Sequence, residues 1–152
     1  NIGSLSYHIG EEDRHHGYYA VGYALGSSPS ETSADKTFNY ALWTLIEQPL
    51  LHVGESHLGA MWQGGTSPAS RSTCRHYWGA GLIWSNIPPQ MTQVGLVVNR
   101  ALYADGRETD VELTGSFPVC NHFTLQPAVH CINTNGNYTA AAQLRAILEF
   151  GN

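Results

Sequence analysis

The side chains best suited to chemistry in this sequence are eight histidines and three cysteines. His15 and His16 are adjacent, and neighbouring strand residues point to opposite faces, so the two do not readily share one ion. His52 and His57 lie five apart across a glycine-containing turn, a spacing loosely compatible with a metal site. His122 and His130 stand beside Cys120 and Cys131, giving C-x-H and H-C at the two ends of one short segment. Two Cys and two His make a zinc ligand set, but the spacing departs from the usual finger pattern. A copper set drawn from the same residues is equally loose. A small secreted metalloprotein or hydrolase using His52 and His57, or His122 and His130, is thus the alternative reading. Hydrogen-bonded or surface histidines are the plainer one.

Nucleophilic and acid–base patterns are weaker. Gly54-Glu55-Ser56-His57-Leu58-Gly59 invites comparison with G-x-S-x-G, but Leu58 occupies the second glycine position and no strand–turn–helix surrounds it. Glu11, Glu12, Glu55, Asp105, Glu108 and Asp110 could supply a carboxylate pair for glycoside hydrolysis, yet no spacing selects two of them. The sequence therefore points to a protein without catalysis, cofactor or metal.

The aromatic residues say more. Trp43, Trp62, Trp78 and Trp84 occur with 8 Tyr in a chain of which only 12% is charged. Aromatic faces stack on the C–H faces of sugars, and a few placed polar groups give such pockets their specificity. Trp62 beside Gln63 opens a glycine-rich loop and Trp84-Ser85-Asn86 closes a strand, so both read as rim positions. Trp43 and Trp78 read as core. With Asp105 and Arg107 at a hairpin tip, the candidate ligand-binding set is Trp62, Gln63, Trp84, Asn86, Asp105 and Arg107. Turn chemistry is the plainer reading of the last two.

The three cysteines, Cys74, Cys120 and Cys131, allow one internal bridge. Cys120–Cys131 is the favoured pair, closing a short loop and contributing about 3 kcal/mol by chain entropy. A bridge from Cys74, or three reduced thiols, are the alternatives. One lysine (Lys36) and abundant Gly, Tyr and Trp lean toward a secreted or cell-surface protein. Asn137-Tyr138-Thr139 is an N-x-T sequon.

The elements that would carry these residues are short strands. A chain of 152 residues fits one domain, residues 1–152, and its aromatic content excludes disorder. Net charge of -5 with 7 basic residues argues against nucleic acid. No apolar run reaches the roughly 18 residues of a membrane helix, so no membrane span is expected. Leu5, Tyr7 and Ile9 alternate with polar neighbours. Residues 17–25, 37–47, 76–84, 94–104 and 107–113 read as further strands, with a short helix capped by Thr37 as the alternative for 37–47, loops at 26–36 and 63–73, and a stop at Pro49. Asp105-Gly106 reads as a two-residue hairpin turn. Val111 and Leu113 alternate with Asp110 and Glu112, so one face of that strand is wet. Eight or nine strands between Gly, Pro and Asn turns predict an all-β, antiparallel β-sandwich or barrel with little helix.

The segment from Gly136-Asn137-Tyr138-Thr139 through the alternating run to Phe150 resembles the closing strand of bacterial chaperone–usher pilus subunits. That resemblance implies an immunoglobulin-like sandwich exported through the periplasm, with pilus subunits and a periplasmic chaperone as partners. Four tryptophans fit a receptor-binding tip domain better than a shaft subunit. The expectation is an adhesin- or lectin-like domain recognising a glycan or host receptor, with a structural pilus subunit as a further alternative.

Overall fold

The computed structural model describes residues 1–9, 17–30, 33–68, 73–88 and 91–149, with side chains placed for all of these except 27–30, 33–38 and 91–92. The described residues are all β. The strands are β1 (Ile2–Ile9), β2 (Gly17–Ser30), β3 (Ser33–Val53), β4 (Ser56–Thr66), β5 (Cys74–Ile87), β6 (Met91–Tyr103), β7 (Arg107–Cys120), β8 (Phe123–Thr134) and β9 (Asn137–Leu148). Each pairs antiparallel with its sequence neighbour, forming a single nine-stranded meander in the order β1 to β9.

Local sequence explains the reversals. At Val53↔Ser56 the turn is Gly54-Glu55, with Gly54 at φ 62 as the first central residue of a two-residue hairpin. Thr134↔Asn137 closes on Asn135 and Gly136, both at positive φ, the Asn-Gly signature of a tight hairpin. Asp105-Gly106 does reverse the chain, but over three residues, 104–106. Tyr103 N–H donates to the Gly106 carbonyl, and the Asn135 side chain accepts from the Arg107 N–H.

Tracing the register across the sheet separates two faces. One carries Leu5, Val21, Leu42, Trp62, Leu82, Leu96, Leu113, Val129 and Leu144. The other carries Ser6, Ala20, Gln63, Gly79, Gly81, Gly95, Asn99, Asp110, Glu112, Ala128 and His130. This second face mixes small and polar side chains with Trp43, Leu45, Met61, Ile83, Val97 and Ile132, and Ala20, Gly22, Gly79, Gly95 and Ala128 on it are buried. The first face is large, apolar and open: Leu96 is 50% exposed, Leu113 55% and Val129 55%.

The all-β expectation holds, with nine antiparallel strands. The arrangement into two stacked sheets does not appear, because all nine strands lie in one sheet. Several expected loops are strand instead. Most of the expected 26–36 loop belongs to β2 and β3, whose register continues through Gly26↔Asn39 and Ser28↔Thr37. β4 runs on to Thr66, inside the expected 63–73 loop. Pro49 does not stop β3; the ladder absorbs it as a register irregularity between Pro49 and Leu51. Cys120 and Cys131 are not joined. Cys120 pairs with Phe123 beside the β7–β8 turn, whereas Cys131 sits opposite Val111, about 25 Å further along the hairpin. A disulfide needs Cα atoms within about 7 Å.

Candidate functional site

The enclosed face carries a polar array across β4 to β8. Gln63, Gly79, Asn99 and Asp110 follow one another in register across four strands. Gln63 Nε2 donates to the Tyr77 hydroxyl at 2.6 Å, and that hydroxyl donates to Asn99 Oδ1 at 2.8 Å. Gly79 leaves the space these chains occupy: a Cβ there would collide with Asn99 Oδ1 and press on Gln63. Burial, reinforced by the charges of Asp110, Cys74 and Glu112, raises the Tyr77 phenol above its ordinary value, so it remains a donor.

Beside this network, β7 and β8 bring three ionisable groups together. Glu112 pairs with His130 across the hairpin, and Asp110 lies two residues before Glu112 on the same face. His130 Nδ1 lies 3.0 Å from Asp110 Oδ2, with side-chain exposures of 19% and 20%. Asp110 Oδ1 is buried and accepts no hydrogen bond. One ligand atom from each of Asp110, Glu112 and His130 falls within 4.8 Å of the others. Further along β7, Glu108 accepts a 3.2 Å hydrogen bond from Thr134. Toward the Gly54 end, the same face opens into two hollows of about 260 and 210 Å³, the first bordered by Glu47, Met61 and Gln93, the second by Gln93, Thr114 and Gln126.

The opposite face is an apolar band. On β7 it comprises Val111, Leu113, Gly115, Phe117 and Val119, about 26 Å from first to last. On β8 it comprises Phe123, Leu125, Pro127, Val129 and Cys131, and on β9 the alternate residues from Ala140 to Leu148. Arg100, Thr109, Asn133 and Tyr138 form one register row along its edge. Two side-chain pairs on this face are hydrogen-bonded, the Tyr19 hydroxyl donating to Gln48 Oε1 and Thr66 Oγ1 lying 3.0 Å from His76 Nδ1, whereas Arg100 Nε is buried without a partner among the described residues.

The six residues expected to form a ligand site do not converge. Trp62 and Trp84 are open to solvent at 40% and 45%, but both stand on the apolar face, and Trp62 stacks on Trp78 with ring centroids 5.9 Å apart. Gln63 is on the enclosed face. Asn86, at φ 56, closes β5 at one end of the sheet, whereas Asp105 and Arg107 occupy the opposite end, one strand length or about 40 Å away. Trp43, expected in the core, is exposed on the polar face over Gly22. Among the histidines, His52 and His57 do meet, as a cross-strand pair with stacked rings 6.0 Å apart. His122 and His130 do not: His122 is in the β7–β8 turn and His130 is about 26 Å along β8. His15 and His16 lie outside the described residues.

The grouping of Asp110, Glu112 and His130 escaped sequence reasoning because it depends on cross-strand register. The available signal was Asp110-x-Glu112, which puts both carboxylates on one face; a plain reversal at Asn121-His122 would set residue 112 opposite 131, and only the irregularity between Pro118 and Cys120 brings 130 opposite it. No protein-family model matches the chain, and no curated protein or solved structure is significantly similar to it.

Proposed function

We propose that this chain forms wall of a membrane-spanning β-barrel, its apolar face against lipid and its polar face lining a water-filled interior. The observation that carries the reading is the inverted distribution of side chains. A continuous band of Leu, Val, Phe and Trp lies on the open face, while carboxylates, His130, Gln63 and Asn99 lie on the enclosed one. A sheet in water buries its apolar face, and a contiguous exposed apolar face of this size requires a covering. Alternation of apolar-out and polar-in along every strand is the pattern of membrane barrels.

Dimensions support the same covering. β4 to β9 have 11 to 14 residues, against the roughly 9–11 a tilted strand needs to cross a bilayer. The apolar positions on β7 extend about 26 Å along the strand, or roughly 20 Å of height at a tilt of about 35–45°, against a band of about 25 Å in such barrels. One series of aromatic residues on the apolar face climbs with strand number: Trp62 is level with Tyr7 and Tyr19, Trp84 lies further toward the Gly54 end, and Phe117 and Phe123 further still, while Tyr23, Tyr40, Trp78 and Tyr138 lie on the side of Trp62 away from that end. Barrel strands are tilted by about 35–45°, so a girdle level with the membrane surface shifts along successive strands in this manner. No helix among the described residues is long and apolar enough to cross a membrane, so strands are the spanning elements in this reading.

β1 and β9 run in the same direction, so antiparallel closure takes an odd number of strands beyond these nine. The interior is acidic, with Glu47, Glu108, Asp110 and Glu112 against Arg145, and a passage so lined favours cations. Surface location agrees with the exported character expected from composition. The glycan-binding reading has less support, since its aromatic and polar residues occupy different faces and different ends.

Protein refolded from urea into phosphatidylcholine vesicles tests the proposal. β-structure that floats with the vesicles and survives a carbonate wash is expected. A β-folded monomer that stays in the aqueous fraction contradicts it.

A further inference from the structure

We propose that Asp110, Glu112 and His130 form a binding site for a borderline divalent metal ion, with Zn2+ as its representative. Imidazole nitrogen with two carboxylates is a ligand set that zinc accepts, and three protein ligands leave a coordination position open for water or a substrate group. The three ligand atoms are already gathered within 4.8 Å. The site is therefore held by the ladder of β7 and β8, not by a loop.

The environment lacks what an ion would supply. Two carboxylates stand together, with Glu108 next on the same strand. The facing positions of β5, β6 and β8 carry no Lys or Arg: Gly79, Gly81, Val97, Asn99, Ala128 and Ile132 surround the group. Asp110 Oδ1 is enclosed without a donor, a costly state for a carboxylate oxygen. The 3.0 Å separation of His130 Nδ1 and Asp110 Oδ2 also suits two ligands of one ion. Binding then replaces the hydrogen bond between them. The site uses only the register of one hairpin, so it stands or falls independently of the membrane reading.

The test is Zn2+ titration of the folded full chain against a chromophoric chelator, with His130→Gln, Glu112→Gln and His57→Gln compared. One equivalent bound by the wild type is expected, weakened at least tenfold by His130→Gln and by Glu112→Gln and unchanged by His57→Gln. Far-UV circular dichroism checks that each variant retains its sheet. Imidazole NMR of the unaltered protein gives a reading independent of any variant: one equivalent of Zn2+ should shift the His130 ring. Equal binding by wild type and both site variants, loss of binding in His57→Gln, or an unmoved His130 resonance overturns the proposal.

Discussion

Replacing Leu113 by Arg distinguishes a wall facing lipid from one facing water. Leu113 lies inside the band, one step from its Val111 edge, in the register row that runs from Leu82 through Leu96 to Val129, and it is 55% exposed. In water, an exposed leucine replaced by arginine changes stability by only about 0.5 kcal/mol in either direction. At the middle of a bilayer the same change costs about 2–4 kcal/mol. At 1.4 kcal/mol per decade that is roughly a thirty-fold or larger loss in the folding equilibrium. Thr109 lies on the same strand and face, in the polar row with Arg100 and Asn133, so Thr109→Arg should cost only about 0–1 kcal/mol. The assay is guanidinium unfolding of vesicle-folded protein, followed by tryptophan fluorescence. A penalty for Leu113→Arg no greater than that for Thr109→Arg would refute the reasoning.

Two further outcomes follow from the enclosed face. A Cβ at Gly81 would lie 2.9 Å from the Leu96 carbonyl oxygen and equally close to Val97 Cγ2, so Gly81→Ala should cost about 1–3 kcal/mol in the same unfolding assay; a neutral effect would show that this face is not closely packed there. Because its phenol is raised, the Tyr77 contribution to stability is present below pH 10 and lost as pH rises through the folded value. Difference absorbance between wild type and Tyr77→Phe should accordingly show a phenol ionising above pH 10, and ionisation at or below pH 10 would contradict the burial and the neighbouring carboxylates.

Strands were legible where period-two alternation was clean. Leu5-Tyr7-Ile9 and Val111-Leu113 announced β1 and β7, and the Asn135-Gly136 reversal carried its own chemistry. Strand extent was less legible: Gly26-Ser27-Ser28 and Gly64-Gly65 have turn composition, yet the ladder continues through them because neighbouring strands supply the hydrogen bonds. Alternation also leaves the solvent of each face undetermined. Leu113 and Glu112 read equally well as core and water or as lipid and lumen, and the expected sandwich follows from taking the first assignment. Trp62 and Trp84 pointed to an uncharged exposed surface, which the structure contains, but the surface is a band and not a pocket. Asp110, Glu112 and His130 needed register to be seen together. The same register separates Cys120 from Cys131 and His122 from His130.

Site-directed spin labelling along β6, from Val94 to Asn99 with the native cysteines replaced, measures directly which face meets lipid. Labels at 94, 96 and 98 should be relaxed by oxygen dissolved in the bilayer, and labels at 95, 97 and 99 by a water-soluble nickel complex. Nickel accessibility at 94, 96 and 98 equal to that at the intervening positions would place both faces in water and contradict the account.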